Sequence, residues 1–132
     1  MDKQIGVWVD HRKAVIVTLW EEKETVQVVH SEIETTGRPS GVETQYGGQD
    51  MFSDDSLQRH SSVHLKKYYN DIAAYVKNAD SIMLMGPGEA KVELHKSLER
   101  HMMGEKVVEV LPADKMTERE ITLKVRDYYA RS

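Results

Sequence analysis

Ser81-Ile82-Met83-Leu84-Met85-Gly86-Pro87-Gly88 is the stretch that decides the fold. Its apolar residues run on without polar alternation, as in a strand covered on both faces rather than on one. Gly86-Pro87-Gly88 then breaks the chain. Outward toward the C-terminus, Ala90, Leu94, Leu98, His101 and Met102 recur at helical spacing, and Gly104 is the expected stop. Val107-Val108-Glu109-Val110-Leu111 reads as another strand. Thr117-Glu118-Arg119-Glu120 is a capping box, Met116 with Ile121 makes a hydrophobic staple, and Ile121, Val125 and Tyr128/Tyr129 supply the last helix with an apolar face.

Outward toward the N-terminus, Leu57, Ser61, Leu65, Tyr68, Ile72, Tyr75 and Val76 predict a long helix to about Asn78. Ser53-Asp54-Asp55 provides its start, with side-chain oxygens for free N–H groups and carboxylates at the positive end of the dipole. From about Thr35 to Phe52 there is no usable periodicity; Gly37, Pro39, Gly41, Gly47 and Gly48 punctuate it, so a long mobile loop is expected at about 35–52. Before it come three strand-like runs, Ile5–Val9, Ala14–Trp20 and Thr25–His30, the last extending toward Ile33. Short polar connections make them an antiparallel meander. The predicted order is βββ-α-β-α-β-α in a single domain over 1–132: an α/β fold on one mixed sheet, ribonuclease-H-like in its element order.

Composition narrows the functional classes. The 132 residues suffice for a core without staples, and with no cysteine there is neither a disulfide scaffold nor thiolate chemistry. No apolar run has the length of a membrane span, and Met1-Asp2-Lys3-Gln4 leads straight into a strand, so a cytoplasmic protein without a targeting segment or membrane partner is expected. Net charge is −4, and residues 41–60 alone hold Glu43, Asp50, Asp54 and Asp55 against Arg59, a balance of −3. Nucleic-acid binders usually carry a basic patch, so this acidity favours a protein partner.

Within that acidic stretch stands Gly47-Gly48-Gln49. Two glycines leave the backbone free to approach a bulky partner closely. The Gln49 amide donates and accepts hydrogen bonds but cannot act as a general base near neutral pH. An ordinary flexible loop accounts for the same residues.

Gly6-Val7-Trp8-Val9-Asp10 with Lys13-Ala14, then Gly47-Gly48-Gln49, then Ile82 to Gly86-Pro87-Gly88 with Lys91, form a sequence of features over nearly the whole chain. In these the chain resembles the central domain of the eukaryotic and archaeal class I peptide chain release factors and of Pelota. As a free-standing copy it would belong with bacterial release-factor-like proteins. The resemblance implies a ribosome partner (rRNA and peptidyl-tRNA), no cofactor, and ester hydrolysis of peptidyl-tRNA promoted by Gly47, Gly48 and Gln49. The Gln49 N–H would face the developing oxyanion, and its side chain would exclude or orient water. Asp50 stands where the family has a serine, among carboxylates rather than basic residues. The codon-reading and GTPase-binding domains of the full factor have no counterpart in the chain, so stop-codon reading is not expected of it.

Arg59, Lys66 and Lys67 on the long helix are the best candidate RNA contacts, followed by Lys124, Arg126 and Arg131 on the last; each set also reads as a plain charged helix face. Asp10 ends the first strand, where a ribonuclease-H-like nuclease keeps a metal-binding carboxylate, but a polar hairpin turn Asp10-His11-Arg12-Lys13 explains it more simply. Asp80 and Asp114 lack a matching pattern. His60 and His64, four apart, face one way without an announced third ligand, and His95 and His101 are unrelated to each other. No metal is expected. Gly86-Pro87-Gly88-Glu89 matches neither a dinucleotide fingerprint nor a P-loop and reads as a tight strand-to-helix turn. The methionines at 83, 85, 102, 103 and 116 read mostly as core filler.

Overall fold

The apolar run at 81–86 is the second strand from one edge of a five-stranded sheet, order β3-β2-β1-β4-β5. The computed structural model describes the backbone of residues 2–31 and 54–131, and their side chains except those of 54–64. The strands are β1 (Gln4–Val9), β2 (Lys13–Trp20), β3 (Lys23–His30), β4 (Ser81–Gly86) and β5 (Val107–Pro112). The helices are α1 (Asp54–Val76), α2 (Ala90–Arg100) and α3 (Glu118–Arg131), with a 3-10 turn at Gly104–Lys106. The first three strands are antiparallel neighbours, whereas β4 lies parallel to both β1 and β5. This is the expected mixed sheet in the expected order.

Alternation along β1 and β4 divides the core into two layers. Ile5, Val7, Val9, Ile82 and Leu84 join Tyr68, Ile72, Val76, Leu94 and Leu98 in the cluster beneath α1 and α2. Trp8, Met83 and Met85 join Ile121 and Val125 beneath α3 on the other face. Coverage on both faces is why β1 and β4 read as continuous apolar runs. Gly6 lies on the α3 face, where an added Cβ would fall 2.3 Å from Val125 Cγ2; the missing side chain lets the last helix settle against the sheet.

The capping box of α3 forms reciprocally: Glu120 N–H donates to Thr117 Oγ1 at 3.1 Å, and Thr117 N–H donates to Glu120 Oε1 at 2.9 Å. Met116 packs against the cluster that contains Ile121. Beyond them, Tyr129 donates to the Ile5 carbonyl at 3.0 Å, pinning the C-terminal turn to the central strand. Burial pushes its phenol up to about 12.

Three expectations need correction. The second helix ends at Arg100, before Gly104, because Met102 takes φ 64° and closes a Schellman cap. Met103 N–H donates to Leu98 O at 2.8 Å and Met102 N–H to Glu99 O at 3.0 Å. Met102 is therefore 87% exposed instead of core, while Met103 turns inward against Leu98. Tyr75 is 52% exposed, and Tyr69 and Ala73 are buried in its stead. At 100° per residue Tyr75 stands about 60° to one side of Ile72, and the buried stripe extends to the other. Strand β3 stops at His30, where Ser31 N–H turns to the Arg12 carbonyl at 2.9 Å; an extension to Ile33 lies outside the described residues, as does the loop expected at 35–52.

Candidate functional site

Parallel β1 and β4 end side by side, and connections leave from there toward opposite directions of the sheet. Crevices of that kind are where open α/β sheets place their sites. Asp10 ends β1 and folds the chain back on itself: its Oδ1 accepts from the N–H groups of Arg12 at 2.8 Å and Lys13 at 2.9 Å. That is an Asx-type turn, and the carboxylate is engaged in holding it. Tyr68 on α1 donates to the Asp10 carbonyl at 2.9 Å. Burial first, then the Asp10 charge, pushes the Tyr68 phenol far up, so it is a fixed donor.

Beside this turn lies a three-element contact. Tyr69 of α1 donates to Glu93 Oε1 of α2 at 2.7 Å, and His11 Nε2 of the turn lies 3.0 Å from the same oxygen. Burial and the Glu93 carboxylate together push the Tyr69 phenol far up. On the β4 side, Gly86 adopts φ 148° and a Cβ there would stand 2.1 Å from the Val9 carbonyl oxygen, so only glycine permits β4 to close on β1. Gly88 takes φ 66°, and Lys91 Nζ donates to its carbonyl at 2.6 Å. The segment thus forms the tight strand-to-helix turn expected of it.

Gly47, Gly48 and Gln49 lie outside the described residues, as do the side chains of Arg59, His60 and His64. The described chain leaves β3 at Ser31 and resumes at α1. Lys66 and Lys67, adjacent in sequence, part company on α1. Lys67 Nζ lies 3.3 Å from Asp71 Oδ2, a solvated i,i+4 pair worth little. Lys66 instead faces an open groove between α1 and α2 that is also lined by Tyr69, Glu93, Lys96 and Arg100.

The metal candidates do not converge. Asp80 precedes β4 and accepts from Lys3 N–H at 2.7 Å. It therefore lies at the opposite end of the parallel strands from Asp10, about 20 Å away at 3.3 Å per residue. Asp114 receives the Trp8 indole N–H on its carbonyl at 3.0 Å. His101 bonds the Ser97 carbonyl within its own helix cap, and His95 lies 3.8 Å from Glu99. Among the described residues no group of three His, Cys, Asp or Glu is placed to hold a metal ion. On α3, Arg126 faces Glu24 at 3.5 Å and Arg131 faces Asp127 at 3.2 Å, while Lys124 lines a separate hollow beside Tyr128. No described helix is long and apolar enough to cross a membrane.

Sequence reasoning missed Tyr69, Glu93, Lys96 and Arg100. The i,i+4 spacing of Lys96 and Arg100 is visible in the sequence; their partnership with Lys66 across two helices is not.

With this geometry in place, comparison with known proteins adds a consistent result. No family model matches the sequence, and no curated protein matches it. Among solved structures, the chain is similar to the Pelota protein of Thermoplasma acidophilum at 19% identity and a TM-score of 0.52, over 88% of this chain and 29% of that one. It is similar to an archaeal translation termination factor, aRF1, at 12% identity and a TM-score of 0.55, over 98% of this chain and 39% of that one. Archaeoglobus fulgidus Pelota gives 13% identity and a TM-score of 0.55, over 99% and 38%. The chain spans roughly a third of the length of these structures, and shares with them a release-factor-like fold.

Proposed function

We propose that this chain is a translation-associated protein, a release-factor-like domain that binds the ribosome in rescue or dormancy and presents Gly47-Gly48-Gln49 to peptidyl-tRNA. One observation carries the reading: the tripeptide falls on the connection between β3 and α1 of a release-factor-like fold. The chemistry suits the residues. Hydrolysis of an ester needs a donor where negative charge develops, and a preorganised backbone N–H supplies about 3–4 kcal/mol of transition-state stabilisation. Gly47 and Gly48 permit close approach to RNA, the Gln49 N–H meets the oxyanion, and the Gln49 amide orders water without taking a proton.

Arg59, Lys66 and Lys67 are assigned to RNA contact in this reading, and no cofactor or metal takes part. A second reading, a non-catalytic module that binds a protein, is favoured by the net charge of −4 and the acidity of residues 41–60. A nuclease built on Asp10 is disfavoured, because that carboxylate holds the turn.

Co-sedimentation with 70S ribosomes separates the two readings. Association that weakens steadily as salt rises is expected for the first. Free protein in the supernatant at low salt, with capture of a protein partner instead, would establish the second.

A further inference from the structure

We propose that the groove between α1 and α2, framed by Lys66, Lys96 and Arg100, is a docking surface for an RNA phosphodiester backbone. This deepens the ribosome-binding reading and rests on it. All three cations are exposed and line the same open groove, yet none has an ion-pair partner among the described residues. Lys67, the adjacent residue on α1, instead faces Asp71 on the protein itself. Lys96 and Arg100, one turn apart on α2, repel each other, and Lys66 adds a third positive charge from across the groove. Such a concentration in a chain of net charge −4 suits an anionic partner brought from outside.

The groove's own carboxylate does not cancel this field. Glu93, which receives the Tyr69 hydroxyl and faces His11 Nε2, offsets one of the three positive charges and leaves the groove net positive. The open groove between two helices gives an RNA strand or duplex edge a track to follow. Cations on both walls can each meet a phosphate along such a backbone, a contact that positions RNA without reading its sequence.

The test is binding of a fluorescent RNA hairpin of arbitrary sequence by the full chain, measured by anisotropy across a salt series. Each phosphate neutralised contributes a slope of about −0.9 in log K against log salt for duplexes. Lys96→Gln/Arg100→Gln is expected to reduce the slope by about two and to weaken binding at least about tenfold at low salt. Lys96→Arg/Arg100→Lys should restore it. Lys23→Gln/Lys115→Gln removes the same net charge away from the groove and should leave the slope as in wild type. Equal losses in both double variants would overturn the proposal by showing only bulk charge at work. So would an absence of hairpin binding by wild type, or tighter binding of polyglutamate than of RNA. Failure here is distinguishable from failure of the ribosome reading. Wild type and groove variant sedimenting equally with ribosomes would sink the groove alone, whereas no sedimentation of wild type sinks the ribosome reading.

Discussion

Met102→Gly should stabilise this protein, and the reason lies in one backbone angle. Met102 occupies the left-handed position of a Schellman cap at φ 64°. A residue with a Cβ is disfavoured there by about 1–2 kcal/mol relative to ordinary helical geometry. Glycine removes that cost but loses more freedom on folding, worth roughly 0.5–1 kcal/mol in the other direction. The net gain is about 1 kcal/mol. Little packing is lost in exchange, since the Met102 side chain is 87% exposed. Both cap hydrogen bonds are made by backbone groups and survive the substitution. With about 2.1 cal/mol/K of unfolding entropy per residue over 132 residues, 1 kcal/mol raises Tm by about 3–4 °C. Thermal and urea unfolding followed by circular dichroism measure it, with an unchanged m-value as the sign that only stability moved. Met102→Ala is the control, because alanine keeps the Cβ and should leave Tm close to wild type. An unchanged or lower Tm for glycine, or an equal gain for alanine, would refute the backbone argument.

Three further outcomes follow from other parts of the fold. Gly86→Ala should cost more than about 3 kcal/mol or abolish folding, because its Cβ would sit 2.1 Å from the Val9 carbonyl oxygen at φ 148°; a soluble variant with wild-type urea midpoint contradicts this. Thr117→Ala removes the acceptor for Glu120 N–H and should destabilise by about 1 kcal/mol in urea unfolding. Stability should fall as pH rises above 10. The buried phenols of Tyr68, Tyr69 and Tyr129 have folded pKa values raised above the ordinary value, so their contribution is complete below pH 10 and is lost as pH climbs toward those folded values, which for Tyr129 is about 12. Chemical unfolding at pH 8, 10 and 11 measures the slope, and a flat profile would contradict the burial of these groups.

How much of this was legible in the sequence depended on whether the deciding interaction was local. The reciprocal Thr117–Glu120 cap is written within four residues, and it forms as read. The continuous apolar character of 81–85 announced coverage on both faces, and α1 with α2 and α3 supply it from opposite sides. Where the fold departed from expectation, a tertiary contact had overridden a local signal. Gly104 is the better helix stop in isolation, but inward packing of Met103 against Leu98 draws the chain round at Met102, two residues earlier. Tyr75 fits the helical pattern yet stays outside, because α1 rotates to bury Tyr69 over Glu93. The groove cations were legible singly and not as a set: Lys66 is thirty residues from Lys96, and only the side-by-side packing of α1 and α2 makes them neighbours. Asp10 shows the converse, since the turn chemistry legible at 10–13 is what the carboxylate performs.

Chemistry at Gly47-Gly48-Gln49 is read out by release of labelled peptide from ribosome-bound peptidyl-tRNA. Wild-type protein is expected to accelerate release, and Gln49→Ala to lose about 100-fold or more of that rate, the scale of one preorganised catalytic contact. Equal release by the two proteins, or none by wild type bound to the ribosome, would contradict the account.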